Sequence, residues 1–110
     1  MPELTLPVMA FQTRAELRAW LEQNHAVSPG IMVQLFKVSS GIKSVSFHDV
    51  LEEGLCFGWS ESQRLPFDAQ SYLQKFTPRK SKGTTSERNK RLVKQLEVDG
   101  LMTDAGREKL

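Results

Sequence analysis

"GWSESQRLPFDAQSYLQKFTP", residues 58–78, decides the fold. Its opening run alternates, with Trp59, Glu61, Gln63 and Leu65 on one side and Ser60, Ser62 and Arg64 on the other. That period of two sets the faces of a β-strand. "PFD" supplies a turn, and the second run repeats the period, Tyr72, Gln74 and Phe76 standing against Leu73 and Lys75. Two such runs joined by a short turn make an antiparallel hairpin, which Pro78 ends because proline cannot donate to a ladder.

A hairpin needs partners and a cover, and the flanks supply both. Upstream, Ser46 followed by Asp49 is a helix-start signal, and Phe47, Val50, Leu51 and Leu55 recur at helical spacing as far as Phe57. A helix over 47–57 therefore runs straight into the first hairpin strand. "IMVQLFKV", residues 31–38, is rich in β-branched and aromatic residues and reads as a largely buried strand, with Lys37 near its end and "SSGIKS" as the following turn. Thr13 and Glu16 form a capping box for a helix over 13–26 that carries Leu17, Trp20 and Leu21 on one face, and Ser28-Pro29-Gly30 closes it. Residues 3–11 read as an extended opening segment interrupted by Pro7.

Downstream, "RKSKGTTSERN" is a loop feeding a helix over 86–99: Thr84 with Glu87 and Ser86 with Asn89 both offer cap chemistry, and Leu92, Val93 and Leu96 form the apolar stripe. Gly100 closes this helix with Leu101 packing back, and Thr103 caps a further one at about 103–110. The expected class is α+β: a small, mainly antiparallel sheet from 31–38, 58–65 and 71–77, covered by three to four helices, in one domain over 1–110. A chain of 110 residues can bury one modest core, and 39% hydrophobic with 25% charged residues is the composition of a globular protein rather than a disordered one.

The apolar stretch Leu4–Phe11 is broken by Pro7 and preceded by Glu3, the wrong pattern for a signal peptide or a membrane span, so a cytoplasmic location without membrane insertion is expected. The single Cys56 excludes an internal disulfide, and with only His25 and His48 beside it there is no zinc spacing, so neither metal nor cofactor is expected.

Charge is unevenly placed. Residues 75–94 carry eight basic side chains and one acidic, between two flanks of acidic balance. A basic loop entering a helix suits anions, because free amides and the positive end of the helix dipole meet lysine and arginine there. Arg79, Lys80 and Lys82 followed by Thr84, Thr85 and Ser86 fit that description, although "TPRKSKGTTS" lacks the spacing of a phosphate loop. Catalytic alternatives are thinner. Cys56 stands near a helix carboxyl end, where the dipole disfavours a thiolate, and His48 with Glu52 is a common one-turn surface pair. No nucleophile, base and orienter are placed together by spacing, so no catalytic residue is assigned.

"EEGLCFGWSE", "KFTPRKS" and "SERNKRLVKQLEVDGLM", in this order and spacing, resemble the amino-terminal part of the YdeI/OmpD-associated family of bacterial proteins. The matching residues are Trp20 and Leu21, Lys37, Leu55 to Trp59, Pro78 to Lys80, Ser86 and Asn89, and Gly100 to Met102. Ser60 and Glu61 stand here where the family usually has isoleucine and aspartate, and Thr85 where it tends to have tryptophan. The resemblance implies bacteriocin or antimicrobial-peptide protection, a stress-response setting and a porin association, which would suggest the periplasm.

The expected function is a binding module for a small anion or anionic group, in a cleft lined by Lys37, Trp59, Glu61, Arg79 and Lys80 with Ser86 and Asn89 at a helix start. The alternative is nucleic-acid binding, with residues 75–94 as the cationic face and Tyr72 or Phe76 for stacking. An enzyme with Cys56, His48 or Glu61 as the reactive group is the third reading, and the resemblance alone implies a protein partner in envelope stress.

Overall fold

The computed structural model describes residues 6–83 and 85–110. The element order is β1 (Val8–Ala10), α1 (Arg14–Asn24), β2 (Ile31–Phe36), a 3-10 turn (Val38–Ser40), α2 (Phe47–Phe57), β3 (Trp59–Pro66), β4 (Ser71–Pro78), α3 (Glu87–Val98) and α4 (Asp104–Arg107). The four strands form one sheet in the order β1-β2-β4-β3. β1 runs parallel to β2, whereas β2–β4 and β4–β3 are antiparallel, so the class is α+β with a mixed sheet. Residues 3–5 of the expected opening segment, and Thr84 of the expected cap, lie outside the described residues; Val8–Ala10 is the part of that segment that pairs.

Local chemistry accounts for the helix starts. Ser46 and Asp49 form the reciprocal capping box of α2. Thr13 accepts from the Glu16 amide at 3.2 Å, but the Glu16 carboxylate takes the amide of Gln12 instead of Thr13. Ser86 caps α3 by accepting from the Asn89 amide, and Thr103 caps α4 by accepting from the Gly106 amide. α1 stops at Asn24, short of the expected 26, as the Asn24 amide side chain and the His25 ring both turn back onto carbonyls of the preceding turn.

The sheet has two different faces. Register pairs Ile31 with Phe76, Val33 with Gln74 and Leu35 with Tyr72, and these point toward the helices. Leu17 and Leu21 of α1, Val50, Leu51 and Leu55 of α2, and Val93 and Leu96 of α3 complete the core on that side. Trp59 and Phe76 anchor it, their rings 5.0 Å apart, with Trp20 edge-on to Trp59 at 5.7 Å. α2 is the central helix, and Gly54 lets it approach the sheet: a methyl group there would stand 2.8 Å from the Trp59 carbonyl oxygen. Met32, Gln34, Leu73, Lys75, Thr77 and Ser60 occupy the other face.

The alternation expected along β3 breaks in the middle. Glu61 pairs with Phe76, but the next partners are Arg64 with Gln74 and Leu65 with Leu73, so β3 holds one extra residue between them. The bulge reverses the faces beyond it. Leu65 leaves the side of Trp59, and Arg64 swings onto the helix side, its guanidinium 4.5 Å from the Tyr72 ring centre and 5.5 Å from that of Phe47. Gln74, only 2% exposed, steadies the kink by donating to the Gln63 carbonyl at 3.2 Å.

Candidate functional site

A cationic cleft forms where β4 leaves the sheet. The Arg79 amide donates to the Gly58 carbonyl at 2.9 Å, which fixes the chain beyond Pro78 against the start of β3. The direct pair Ser60–Thr77 sets two hydroxyl-bearing residues side by side on the face away from the helices, and Lys75 follows Thr77 on that face by the period of two. The Pro29–Gly30 turn closes one wall. Gly30 has φ +137° and sits so near β4 that a methyl group there would meet Thr77 Cγ2 at 2.5 Å. The Met32 amide donates to the Pro7 carbonyl at 2.8 Å, holding Leu6 and Pro7 alongside.

The result is a two-lobed depression. One lobe, about 270 Å³, is lined by Ser60, Thr77, Pro78, Arg79, Lys80 and Ser81. The other, about 380 Å³, shares Thr77 to Lys80 and adds Leu6, Pro29, Ser62 and Lys75. Among the described residues, three cations and four hydroxyls line the cleft, and none of the lining residues is a carboxylate. The Gly83 amide, bonded to the Lys109 carbonyl at 3.3 Å, ties the basic loop to the end of the chain.

The expected site residues separate. Arg79 and Lys80 line the cleft. Lys37 does not join them: it lies beyond the opposite end of β2, where its ammonium reaches the Ala69 carbonyl at 3.4 Å. Trp59 is 2% exposed in the core, and its indole N–H donates to the His25 carbonyl at 3.3 Å. Glu61, half-buried, stands opposite Phe76 on the helix side. Ser86 and Asn89 close the first turn of α3 on each other and do not line the cleft. The single cleft expected from all seven residues is thus not assembled, because alternation sends Trp59 and Glu61 to one face of the sheet and Ser60 and Thr77 to the other. Nor do the expected stacking rings offer themselves, as Phe76 is fully buried and Tyr72 lies under Arg64. Ser60, Ser62, Lys75 and Thr77 were the residues to add, and their i, i+2 spacing on adjacent strands was the signal for them.

A second cluster was legible in sequence only as its His48–Glu52 pair. Glu53 is wholly buried and shared by two arginines, Arg14 Nε donating to Oε2 at 2.6 Å and Arg18 Nη1 to Oε1 at 3.1 Å. Arg14 Nη1 also donates to Glu52 at 2.6 Å, and His48 Nε2 reaches the other Glu52 oxygen at 2.7 Å. Arg18 Nη2 donates to the Leu101 carbonyl at 2.7 Å, with its guanidinium 5.1 Å from the Phe57 ring centre. The cluster pins α1 to α2 and to the chain after α3. Both carboxylates are engaged by arginine, and burial, reinforced by Glu53, pushes the neighbouring Cys56 thiol up, against a smaller lowering by Arg18. A thiol raised in this way is a poor nucleophile at neutral pH. Among the described residues no group of His, Cys, Asp and Glu is arranged to hold a metal ion. No helix among them is long and apolar enough to cross a membrane.

The chain belongs to a family described as a domain of unknown function (DUF8412), whose match spans residues 9–109. No curated protein and no solved structure matches it.

Proposed function

We propose that the protein is a binding module for a small anionic group, received in the cleft at the end of β4. The supporting observation is the lining itself: among the described residues it combines Lys75, Arg79 and Lys80 with the hydroxyl side chains of Ser60, Thr77 and Ser81 and includes no carboxylate. Cations with hydroxyl donors satisfy a phosphate or carboxylate through charge-assisted hydrogen bonds, which are about twice as strong as neutral ones. We read the sequence resemblance to YdeI/OmpD-associated proteins as support for a role of such binding in stress or antimicrobial-peptide resistance. Titration of the ¹⁵N-labelled protein with inorganic phosphate tests the site. Saturable amide shifts at Ser60, Thr77, Arg79, Lys80 and Ser81, removed by Lys80→Ala with Ser60→Ala, are expected; no shift with phosphate overturns the proposal.

A second reading is nucleic-acid binding, favoured by the exposed cations of α3. Arg88, Arg91 and Lys94 make no ion pair among the described residues, and Lys90 pairs only with Glu87 at 3.3 Å. Without stacking rings this mode is electrostatic and must weaken steeply with salt, because each neutralised phosphate releases counterions. A mixed-sequence oligonucleotide that shifts α3 amides at low salt and not at high salt would support it, and no shift at either would end it.

A further inference from the structure

The larger lobe exceeds what an anion alone requires. A water molecule's share of liquid volume is about 30 Å³, whereas this lobe measures about 380 Å³, within the range of clefts that hold small organic molecules, roughly 300–1,000 Å³. Besides Ser62 and Lys75, it adds two apolar residues from elements remote in sequence, Leu6 before β1 and Pro29 in the turn before β2, which form a wall with the shared Pro78 at the end of β4. That wall is held in place by backbone, through the Met32–Pro7 hydrogen bond and the close approach of Gly30 to Thr77. Lys75 adds an alkyl stem along the same floor, and long basic side chains commonly lay their stems on apolar surface while keeping the charge in water. The cleft is therefore bipolar, with Arg79 and Lys80 common to both lobes, Ser60 and Ser81 at the hydroxyl end, and Leu6 and Pro29 at the apolar end.

Resting on the anion-site reading above, we propose that the ligand is an amphipathic small molecule: a phosphate or carboxylate head joined directly to a flat or short apolar body. The head sits between Arg79, Lys80 and the Ser60 hydroxyl, and the body lies over Leu6, Pro29 and Pro78. Desolvating an apolar wall favours such a body, since the hydrophobic contribution scales with the apolar area removed from water. A free inorganic anion gains nothing from that wall.

The test compares inorganic phosphate, phenyl phosphate and phenol on the wild-type protein by calorimetry and by amide shifts, with Leu6→Ser as the variant. Phenyl phosphate is expected to bind at least tenfold more tightly than inorganic phosphate, with shifts extending from Arg79 and Lys80 to Gly30 and Ser62. Leu6→Ser should weaken phenyl phosphate binding far more than inorganic phosphate binding and so remove that advantage. Equal affinity for phenyl phosphate and inorganic phosphate overturns the amphipathic ligand while the anion site stands. Phenol binding as tightly as phenyl phosphate also overturns it, because the head then contributes nothing. Failure of both phosphates to bind removes the anion site together with this inference.

Discussion

Arg14 and Glu53 stand 39 positions apart in the chain, yet the Arg14 Nε–H donates to the Glu53 carboxylate at 2.6 Å. Glu53 is fully buried, and its other oxygen accepts from Arg18, so one carboxylate links the first helix to the central one. Removing one partner of a buried ion pair leaves charge without compensation, which typically costs about 3–5 kcal/mol. Both arginines retain some solvent contact, with side chains 30% and 22% exposed, so the lower end applies. Glu53→Ala is expected to lower unfolding free energy by about 3 kcal/mol in a urea titration. A change within about 0.5 kcal/mol, as small as a surface substitution, would show that the network adds nothing.

Gly106 lies where α4 meets the end of α2, and a methyl group there would overlap the backbone oxygens of both Leu55 and Cys56. Backbone cannot step aside as a side chain can, so Gly106→Ala must lift α4 away. Overpacking of this kind costs about 1–3 kcal/mol. Accelerated hydrogen exchange at the Thr103 amide, which donates to the Cys56 carbonyl at 3.2 Å, is the expected local sign. Unchanged exchange and stability would mean that α4 is not seated as described.

Glu97 is held below the ordinary carboxylate range, first by the hydrogen bond from Arg107 and then by its charge. The pair is bidentate, both contacts at 2.9 Å, and joins α3 to α4. A carboxylate depressed in the folded state releases its proton more readily there than in the unfolded chain. Its contribution is therefore present above the ordinary glutamate range and is lost as pH falls through the lowered folded value. The Glu97 side-chain carboxyl resonance should titrate below that of an unstructured glutamate, and Arg107→Gln should return it to the ordinary range. A normal titration in the unaltered protein would contradict the pairing.

Burial raises the Cys56 thiol, so the folded protein should resist thiol reagents. Ellman's reagent is expected to react ~100-fold or more slowly with the folded than with the urea-unfolded chain, following local opening. Because Arg18 lowers this thiol, Arg18→Ala should move the pH profile of any residual reaction upward. Rapid reaction of the native protein at neutral pH would show an accessible thiolate.

Gln74 occupies a core position of β4 yet carries an amide, and that amide serves the Gln63 carbonyl at the bulge. Gln74→Leu keeps the volume and removes the donor, leaving the carbonyl without this partner, a loss of about 1–2 kcal/mol. Loss of the upfield ring-current shifts of Arg64, which lies over Tyr72, would accompany it. An unchanged Arg64 spectrum would indicate that register alone maintains the bulge.

Most of the secondary structure was legible because its causes are local. Ser46 with Asp49 and Ser86 with Asn89 mark helix starts through bonds spanning three residues, and Pro78 and Gly100 mark ends through their own backbone restrictions. The hairpin was legible for the same reason, since a period of two and a short turn mark its two strands, but the extra residue that shifts their register beyond Glu61 was not. The parallel β1–β2 pairing was not, because β1 is only three residues long and its partner lies beyond α1.

The site was legible only in composition. The sequence by itself determined an α+β class, the helix starts, a hairpin ending at Pro78, and a concentration of cations just after it. The tertiary structure alone decided which of those cations share a cleft. Sheet register sent Trp59 into the core and Ser60 and Thr77 to the opposite face, strand direction carried Lys37 to the far end from Arg79, and an inserted residue in β3 turned Arg64 inward. The physical reason is one of range. Caps and turns are made by atoms a few residues apart, whereas a cleft and a buried carboxylate between two arginines depend on which distant segments are pressed together when the core excludes water.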